Sequence, residues 1–166
     1  MNTLRMCIVT FTAATTITLG GLLPTGAVAE EAQPQPTTQE ISRDLAVARA
    51  ASARYHRVEV ALADGFVGTG GCVALPDGSG GMGFHFVNPG RMGDNHLDVA
   101  ESEVLLYEMD ARGRFRLTGV EYIGHEGDAL FGQPFTPGPA GHALHVWLWK
   151  HNPSGMFADW NPDVSC

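Results

Sequence analysis

The stretch EVLLYEMDARGRFRLTGVEYI, residues 103–123, consists of two strand-like runs on either side of a turn. The runs 103–109 and 114–123 are rich in branched and aromatic residues, which pack well on a pleated surface. Between them, Asp-Ala-Arg-Gly at 110–113 is typical of a hairpin turn. The segment therefore predicts a pair of antiparallel strands.

Further strands are expected on both sides of this hairpin. Apolar or alternating runs at 72–75, 82–87 and 142–150 predict them, and the last is the richest in aromatic and branched residues. Residues 124–141 contain three prolines and are predicted to form a loop.

One amphipathic helix is predicted on the N-terminal side of the strands. Thr37 and Glu40 fit a capping box, and Asp64-Gly65 ends the helix. Its apolar stripe at helical spacing comprises Ile41, Leu45, Ala48, Ala51, Tyr55, Val58 and Leu62. A helix followed by several antiparallel strands indicates an α+β fold, with the helix packed on a sheet that can curl toward a barrel or jelly-roll-like shape.

The first 29 residues have the layout of a secretory signal peptide. A weakly basic start precedes an apolar run, and Ala27-Val28-Ala29 supplies the small-x-small pattern of a cleavage site before Glu30. We therefore expect a secreted or periplasmic protein. Residues 30–36, acidic and proline-containing, are predicted to be a disordered lead-in, and residues 37–166 a single globular domain.

The charge balance argues against two classes of partner. The chain has 10 Lys and Arg against 18 Asp and Glu, a formal net charge of −8, and loss of Arg5 with the signal peptide makes it more negative. Such acidity disfavours nucleic acid and anionic membrane surfaces. After signal cleavage no apolar run in the sequence is long enough to predict membrane insertion.

Two cysteines remain after cleavage, Cys72 and Cys166. In an oxidising compartment an even pair predicts one disulfide bond. The rival interpretation is a pair of metal-binding thiolates, which the absence of a C-x-x-C spacing makes weaker.

Three polar residues stand on otherwise apolar strand faces. His85 lies between two phenylalanines, while Glu121 and His145 share their faces with apolar neighbours. If these faces converge, two imidazoles and a carboxylate meet, which is a common ligand set for zinc, iron or copper. The sequence therefore predicts a single divalent-metal site at these residues.

Other residues bear on this site. Glu103, His96 and His151 are candidates for a further ligand or for a partner that orients a ligand. Two alternatives stay open: strand histidines often face solvent or bond a backbone carbonyl, and Glu121 has Arg114 and Arg116 nearby in sequence as ion-pair partners.

The sequence leaves the class of function open. If the protein is an enzyme, the metal acts as a Lewis acid or redox centre on an unknown substrate. The rival class is a non-enzymatic binding protein for a small molecule or glycan, with Phe84, Phe86, Trp147 and Trp149 lining an apolar pocket or stacking strip. A third class is a structural or partner-binding envelope protein.

Several segments together resemble a group of secreted bacterial proteins of no assigned activity. The resemblance spans about Arg49 to Cys166, and its most specific part is C-terminal. The segments are MGFHFVNP (82–89), EVLLYE (103–108), VEY (120–122), LHVWLWKHNP (144–153) and DWNP (159–162). It implies a secreted domain and carries over no catalytic residues.

Overall fold

The computed structural model describes residues 35–166. The predicted signal peptide, 1–29, and residues 30–34 of the predicted lead-in lie outside the described residues. The helical region begins with α1 (Thr38–Ser52), continues as a short 3₁₀ helix (Ala53–His56) and ends with α2 (Val58–Ala63). Within the described residues, no helix combines the length and apolarity needed to cross a membrane.

The predicted capping box is present at the start of α1. The Thr37 hydroxyl accepts a hydrogen bond from the Glu40 backbone N–H at 3.3 Å, and the Glu40 carboxylate accepts one from the Thr37 N–H at 2.8 Å. These two bonds satisfy N–H groups that the first turn of a helix leaves unpaired. The sequence signal therefore marked the start of the helix correctly.

The prediction of one continuous helix is wrong between Ala53 and Arg57. Arg57 has an extended backbone, with φ −100° and ψ 105°, which separates the 3₁₀ turn from α2. Tyr55 explains the break, because its side chain is buried and its carbonyl accepts a 2.7 Å hydrogen bond from the Tyr107 hydroxyl. This tertiary contact overrides the helical periodicity.

The break also redirects α2. Ala61 is fully buried, whereas Leu62, expected on the packed face, is 52% exposed. The position of Leu62 in the apolar stripe predicts a buried side chain, and the structure does not place it there. We therefore expect Leu62→Ala to cost little stability, because an exposed leucine creates no cavity when it is shortened.

Within residues 35–166 eight strands follow the helices. They are β1 (Val67–Ala74), β2 (Gly81–Val87), β3 (Val104–Met109), β4 (Phe115–Gly124), β5 (Ala129–Leu130), β6 (Gln133–Pro134), β7 (Thr136–Gly138) and β8 (Gly141–Val146). Six of them form one antiparallel sheet in the order β1-β2-β3-β4-β8-β7, and β5 pairs with β6 separately. The sheet is curled, and the predicted α+β fold is confirmed.

Two strand predictions need correction. The predicted loop 124–141 contains the short strands β5, β6 and β7. The last predicted strand, 142–150, ends at Val146, because the next residue, Trp147, donates its backbone N–H to the carbonyl of Met156 instead of to a sheet neighbour. The hairpin centred on 110–113 is present, and the Asp110 carboxylate accepts hydrogen bonds from two N–H groups of the turn.

The two faces of the sheet have different environments. Alternate residues such as Phe86, Tyr107 and Tyr122 belong to the main core, which also includes Ala48 and Ala61 of the helices. The opposite face carries a smaller apolar cluster of Val104, Leu106, Trp147 and Val164. Side chains alternate along a strand, so His85, Glu121 and His145 fall on this second face.

The C-terminal segment is tied to β1 by the predicted disulfide between Cys72 and Cys166. Asn161 forms an isolated antiparallel bridge with Gly81, at the start of β2. Together these links hold residues 159–166 beside the second face of the sheet, where Val164 is 2% exposed.

Candidate metal centre

Three strands contribute the central side chains of the site. His85 lies on β2, Glu121 on β4 and His145 on β8. Glu121 is directly opposite His145 in the β4–β8 pairing and opposite Val104 in the β3–β4 pairing. His85 is two residues before Val87, the partner of Val104 on the other side of β3. The register therefore brings the three side chains to one region of the same face.

The distances suit a shared ion. His85 Nε2 lies 3.6 Å from Glu121 Oε2, and His145 Nε2 lies 3.7 Å from Glu121 Oε1. One potential ligand atom from each of the three side chains lies within 4.8 Å of the other two. Ligands about 2.0–2.2 Å from a tetrahedral metal are about 3.4 Å apart, so small side-chain adjustments suffice to bind one ion.

The three side chains are largely removed from solvent. Their exposed fractions are 15% for His85, 10% for Glu121 and 5% for His145. Burial, together with the charge that His145 can carry, lowers the pKa of His85 to about 4, and burial raises the pKa of Glu121. Burial thus favours the neutral form of the His85 imidazole, which is the form that binds metals.

Several polar atoms of the group lack hydrogen-bond partners. Within the described residues, His85 Nδ1 and both ring nitrogens of His145 are buried and make no hydrogen bond. Buried polar atoms are usually paired, and an unpaired one costs roughly 1–3 kcal/mol. A cation bound to the imidazoles would satisfy part of this deficit.

The alternative ion pairs for Glu121 are not formed. Arg114 and Arg116 both contact the carboxylate of Asp110, at 2.8 Å and 3.1 Å. Each arginine is more than half exposed, at the hairpin end of β4. Glu121 has the two histidines as its partners instead.

Asp159 belongs to the site and was missed by the sequence interpretation. Its Oδ1 lies 3.3 Å from Nδ1 of His145, close but without the alignment of a hydrogen bond. The neighbouring imidazole lowers the pKa of Asp159. A carboxylate behind a metal-binding histidine is a common arrangement that fixes the ring.

The structure places Glu103 outside this group. Its side chain is 2% exposed and its carboxylate accepts a hydrogen bond from the Ile123 backbone N–H at 3.0 Å. Burial raises the pKa of Glu103 to about 7, although the bond from Ile123 opposes the shift. Glu103 therefore supports the backbone of β4 two residues beyond Glu121.

We expect Glu103 to make stability depend on pH. In the unfolded chain its pKa is near 4.5, so between about pH 4.5 and 7 the unfolded state loses a proton that the folded state keeps. The free energy of unfolding should fall by about 3 kcal/mol as the pH rises through this window. Urea denaturation of Glu103→Gln, which preserves the acceptor, should show a flatter pH profile.

The matched control for this prediction is Glu101→Gln, which alters an exposed carboxylate two residues away. It should leave the pH profile unchanged. Identical profiles for Glu103→Gln and the unaltered protein would show that Glu103 is not the responsible group.

The two other histidines proposed as partners lie elsewhere. His151 is exposed, and its carbonyl accepts a hydrogen bond from the Asn161 side chain. His96 forms a separate surface group with Asp98 and Glu101. Its ring is 66% exposed. Surface groups of this kind commonly carry no metal, and neither residue reaches the central cluster.

The four aromatic residues of the rival prediction do not line a common pocket. Phe84 and Phe86 pack edge-on against Phe115 on the opposite, core-facing side of the sheet. Trp149 packs against His56 of the 3₁₀ helix. Trp147 is on the same side as His145, but it is buried and its indole N–H donates to the Ala158 carbonyl.

A cavity of about 430 Å³ opens above the cluster. His85, Glu121, His145 and Asp159 lie at its polar end. Both edge strands contribute, since Thr69 and Val73 of β1 and Thr136–Gly138 of β7 line it. This volume lies in the range of small-molecule sites. A ligand in the cavity would have direct access to the imidazoles and the carboxylate.

No family model, no curated protein and no solved structure matches this chain. Its function therefore has to be inferred from the chemistry of the site.

Proposed function

We propose that this protein holds one divalent transition-metal ion between His85, Glu121 and His145 and acts as a mononuclear metal-dependent enzyme. The observation that supports it is the burial of two imidazoles against one carboxylate, with ring nitrogens that lack other partners. A carboxylate with little exposure is costly without a compensating cation, and a bound metal supplies it.

The number of ligands favours a catalytic role over a structural one. Structural zinc sites have four protein ligands, whereas catalytic sites keep a position open for water or substrate. Here three side chains come together, and the cavity lies on their open side. A bound ion would act as a Lewis acid or redox centre at that position. Two histidines and one carboxylate suit zinc, iron or copper.

Asp159 orients His145 in this proposal. By facing Nδ1, its carboxylate favours the tautomer that leaves Nε2 free to bind the ion. We expect Asp159→Asn to weaken zinc affinity by about 10–100-fold, the usual effect of removing such a partner. Competition with a chromophoric chelator would measure the change.

The exposed Asp163→Asn is the matched control, because it removes a carboxylate from the same C-terminal segment but away from the cavity. It should bind zinc like the unaltered protein. Equal zinc affinities for both variants would contradict the positioning role of Asp159.

We also propose that the protein works in an extracellular or periplasmic space. The signal-peptide layout of residues 1–29 and the bond between Cys72 and Cys166 support this. N-terminal sequencing of exported protein should find Glu30 as the first residue, and an intact Met1 in that material would contradict the cleavage.

Elemental analysis of protein purified from its native compartment tests the central proposal. We expect close to one equivalent of a single transition metal. His142→Ala should retain it, because His142 is on β8 three residues from His145 and therefore points to the other face. A protein that contains no metal and takes up no added zinc, iron or copper would overturn the proposal.

The apolar walls of the cavity favour a second candidate, a small-molecule-binding protein without catalysis. Metal content separates the two candidates. A metal-free protein that binds an apolar ligand would support the second.

A further inference from the structure

The walls of the cavity above the metal centre are mainly apolar. Val73, Met82, Val87, Met92, Ile123 and Trp160 contribute to them. These side chains come from three strands and two loops, so they surround the polar end from several directions. An apolar ligand that displaces water from such walls gains about 25 cal/mol for each Å² of apolar surface buried. Polar partners are few, and the hydroxyls of Thr69 and Thr136 already donate to backbone carbonyls.

The charges of the lining residues disfavour anionic ligands. Among the described residues that line the cavity there is no Lys or Arg, and the acidic groups are Glu121 and Asp159. A divalent ion would neutralise these two carboxylates, which leaves no positive charge for an anionic ligand. The acidic chain as a whole, with a formal charge of −8, adds to the repulsion of anions.

We infer that the cavity selects a compact, uncharged and mainly apolar organic molecule, whose polar group faces the metal. Because the polar end of the cavity is the proposed metal site, this inference rests on the proposed function for the orientation of the ligand. The class of ligand follows from the walls and their charge. Phosphorylated compounds, sugar acids and other anions are thereby disfavoured as substrates.

Two dyes of nearly identical shape test this selectivity. N-phenyl-1-naphthylamine is uncharged, and 1-anilinonaphthalene-8-sulfonate has the same aromatic body with one added sulfonate. Fluorescence titration of the metal-free and zinc-loaded protein would give both dissociation constants. We expect the uncharged dye to bind at least tenfold more tightly in both forms, because the walls offer no cation to the sulfonate.

A charge placed in the wall should reverse the preference. Val73 is 37% exposed and lines the cavity, so an arginine there reaches the ligand without entering the core. Val73→Arg should weaken binding of the uncharged dye and strengthen binding of the sulfonate, changing the ratio at least tenfold. Val67→Arg is the matched control on the same strand, because Val67 is 57% exposed and lies outside the cavity lining.

The outcomes separate this inference from the metal proposal. If zinc binds but the two dyes bind equally, or if Val67→Arg and Val73→Arg have the same effect, the inferred ligand class is wrong. If zinc does not bind but the uncharged dye is preferred and Val73→Arg alone reverses the preference, the ligand class stands and the metal proposal fails.

Discussion

Replacing both Cys72 and Cys166 with serine should lower the free energy of unfolding by about 4–5 kcal/mol. The bond joins residues 94 positions apart, so it closes a loop over most of the described chain. On the chain-entropy model a loop of about 100 residues is worth about 4.7 kcal/mol, because the unfolded ensemble loses much of its freedom. Denaturation by guanidinium chloride, followed by circular dichroism, would measure the difference.

The unaltered protein treated with a reductant provides the control. Its stability should fall to that of the double variant, because both lack the same covalent link. A difference below 0.5 kcal/mol between the oxidised protein and the double variant, or two freely titrating thiols in the native oxidised protein, would contradict this prediction.

The grouping of His85, Glu121 and His145 could be predicted because it depends on strand periodicity. In a strand, neighbouring residues point to opposite faces, so a polar residue between apolar neighbours is assigned to a face by counting. The predicted hairpin also indicates that β3 pairs with β4, and the structure has this pairing. The cavity could not be predicted in the same way. Its walls include residues of both edge strands, β1 and β7, and no local sequence pattern shows that these strands lie near each other.

The alternation of side chains along a strand also explains why the four predicted aromatic residues do not line one pocket. Phe84 and Phe86 flank His85, so on a regular strand they point away from it and cannot line its cavity. Trp149 would share the face of His145 if β8 continued, but the strand ends at Val146. The backbone N–H groups of Trp149 and Lys150 instead donate to the Thr118 carbonyl.

Long-range contacts account for the other differences. The helix breaks near Tyr55 because the Tyr55 carbonyl accepts a hydrogen bond from the hydroxyl of Tyr107, which is 52 residues further along the chain. Asp159 reaches His145 because the C-terminal segment is held by the Gly81–Asn161 bridge and the disulfide. Residues 159–162 are part of the sequence resemblance, but nothing in these residues indicates which strand the segment contacts.

Glu121→Gln should weaken zinc affinity by more than about 100-fold while leaving the metal-free protein at least as stable as before. The loss should exceed the 10–100-fold cost of removing an orienting partner, because Glu121 is proposed as a direct ligand. The stability should not fall, because burial raises the pKa of Glu121 and the folded state therefore disfavours its charged form. Glutamine keeps the shape of the side chain without this charge.

A loss of zinc affinity without a loss of stability distinguishes a metal ligand from a residue that merely supports the fold. His145→Ala should lose zinc to a similar degree, whereas His142→Ala, on the same strand but facing away, should keep it. Chelator competition would give the zinc affinities, and urea denaturation in the presence of a chelator would give the stabilities. If Glu121→Gln binds zinc normally, or if His145→Ala and His142→Ala bind it equally, Glu121 and His145 are not metal ligands. In that case the buried carboxylate between two imidazoles is a polar network of the core, and removal of its charge should affect stability alone.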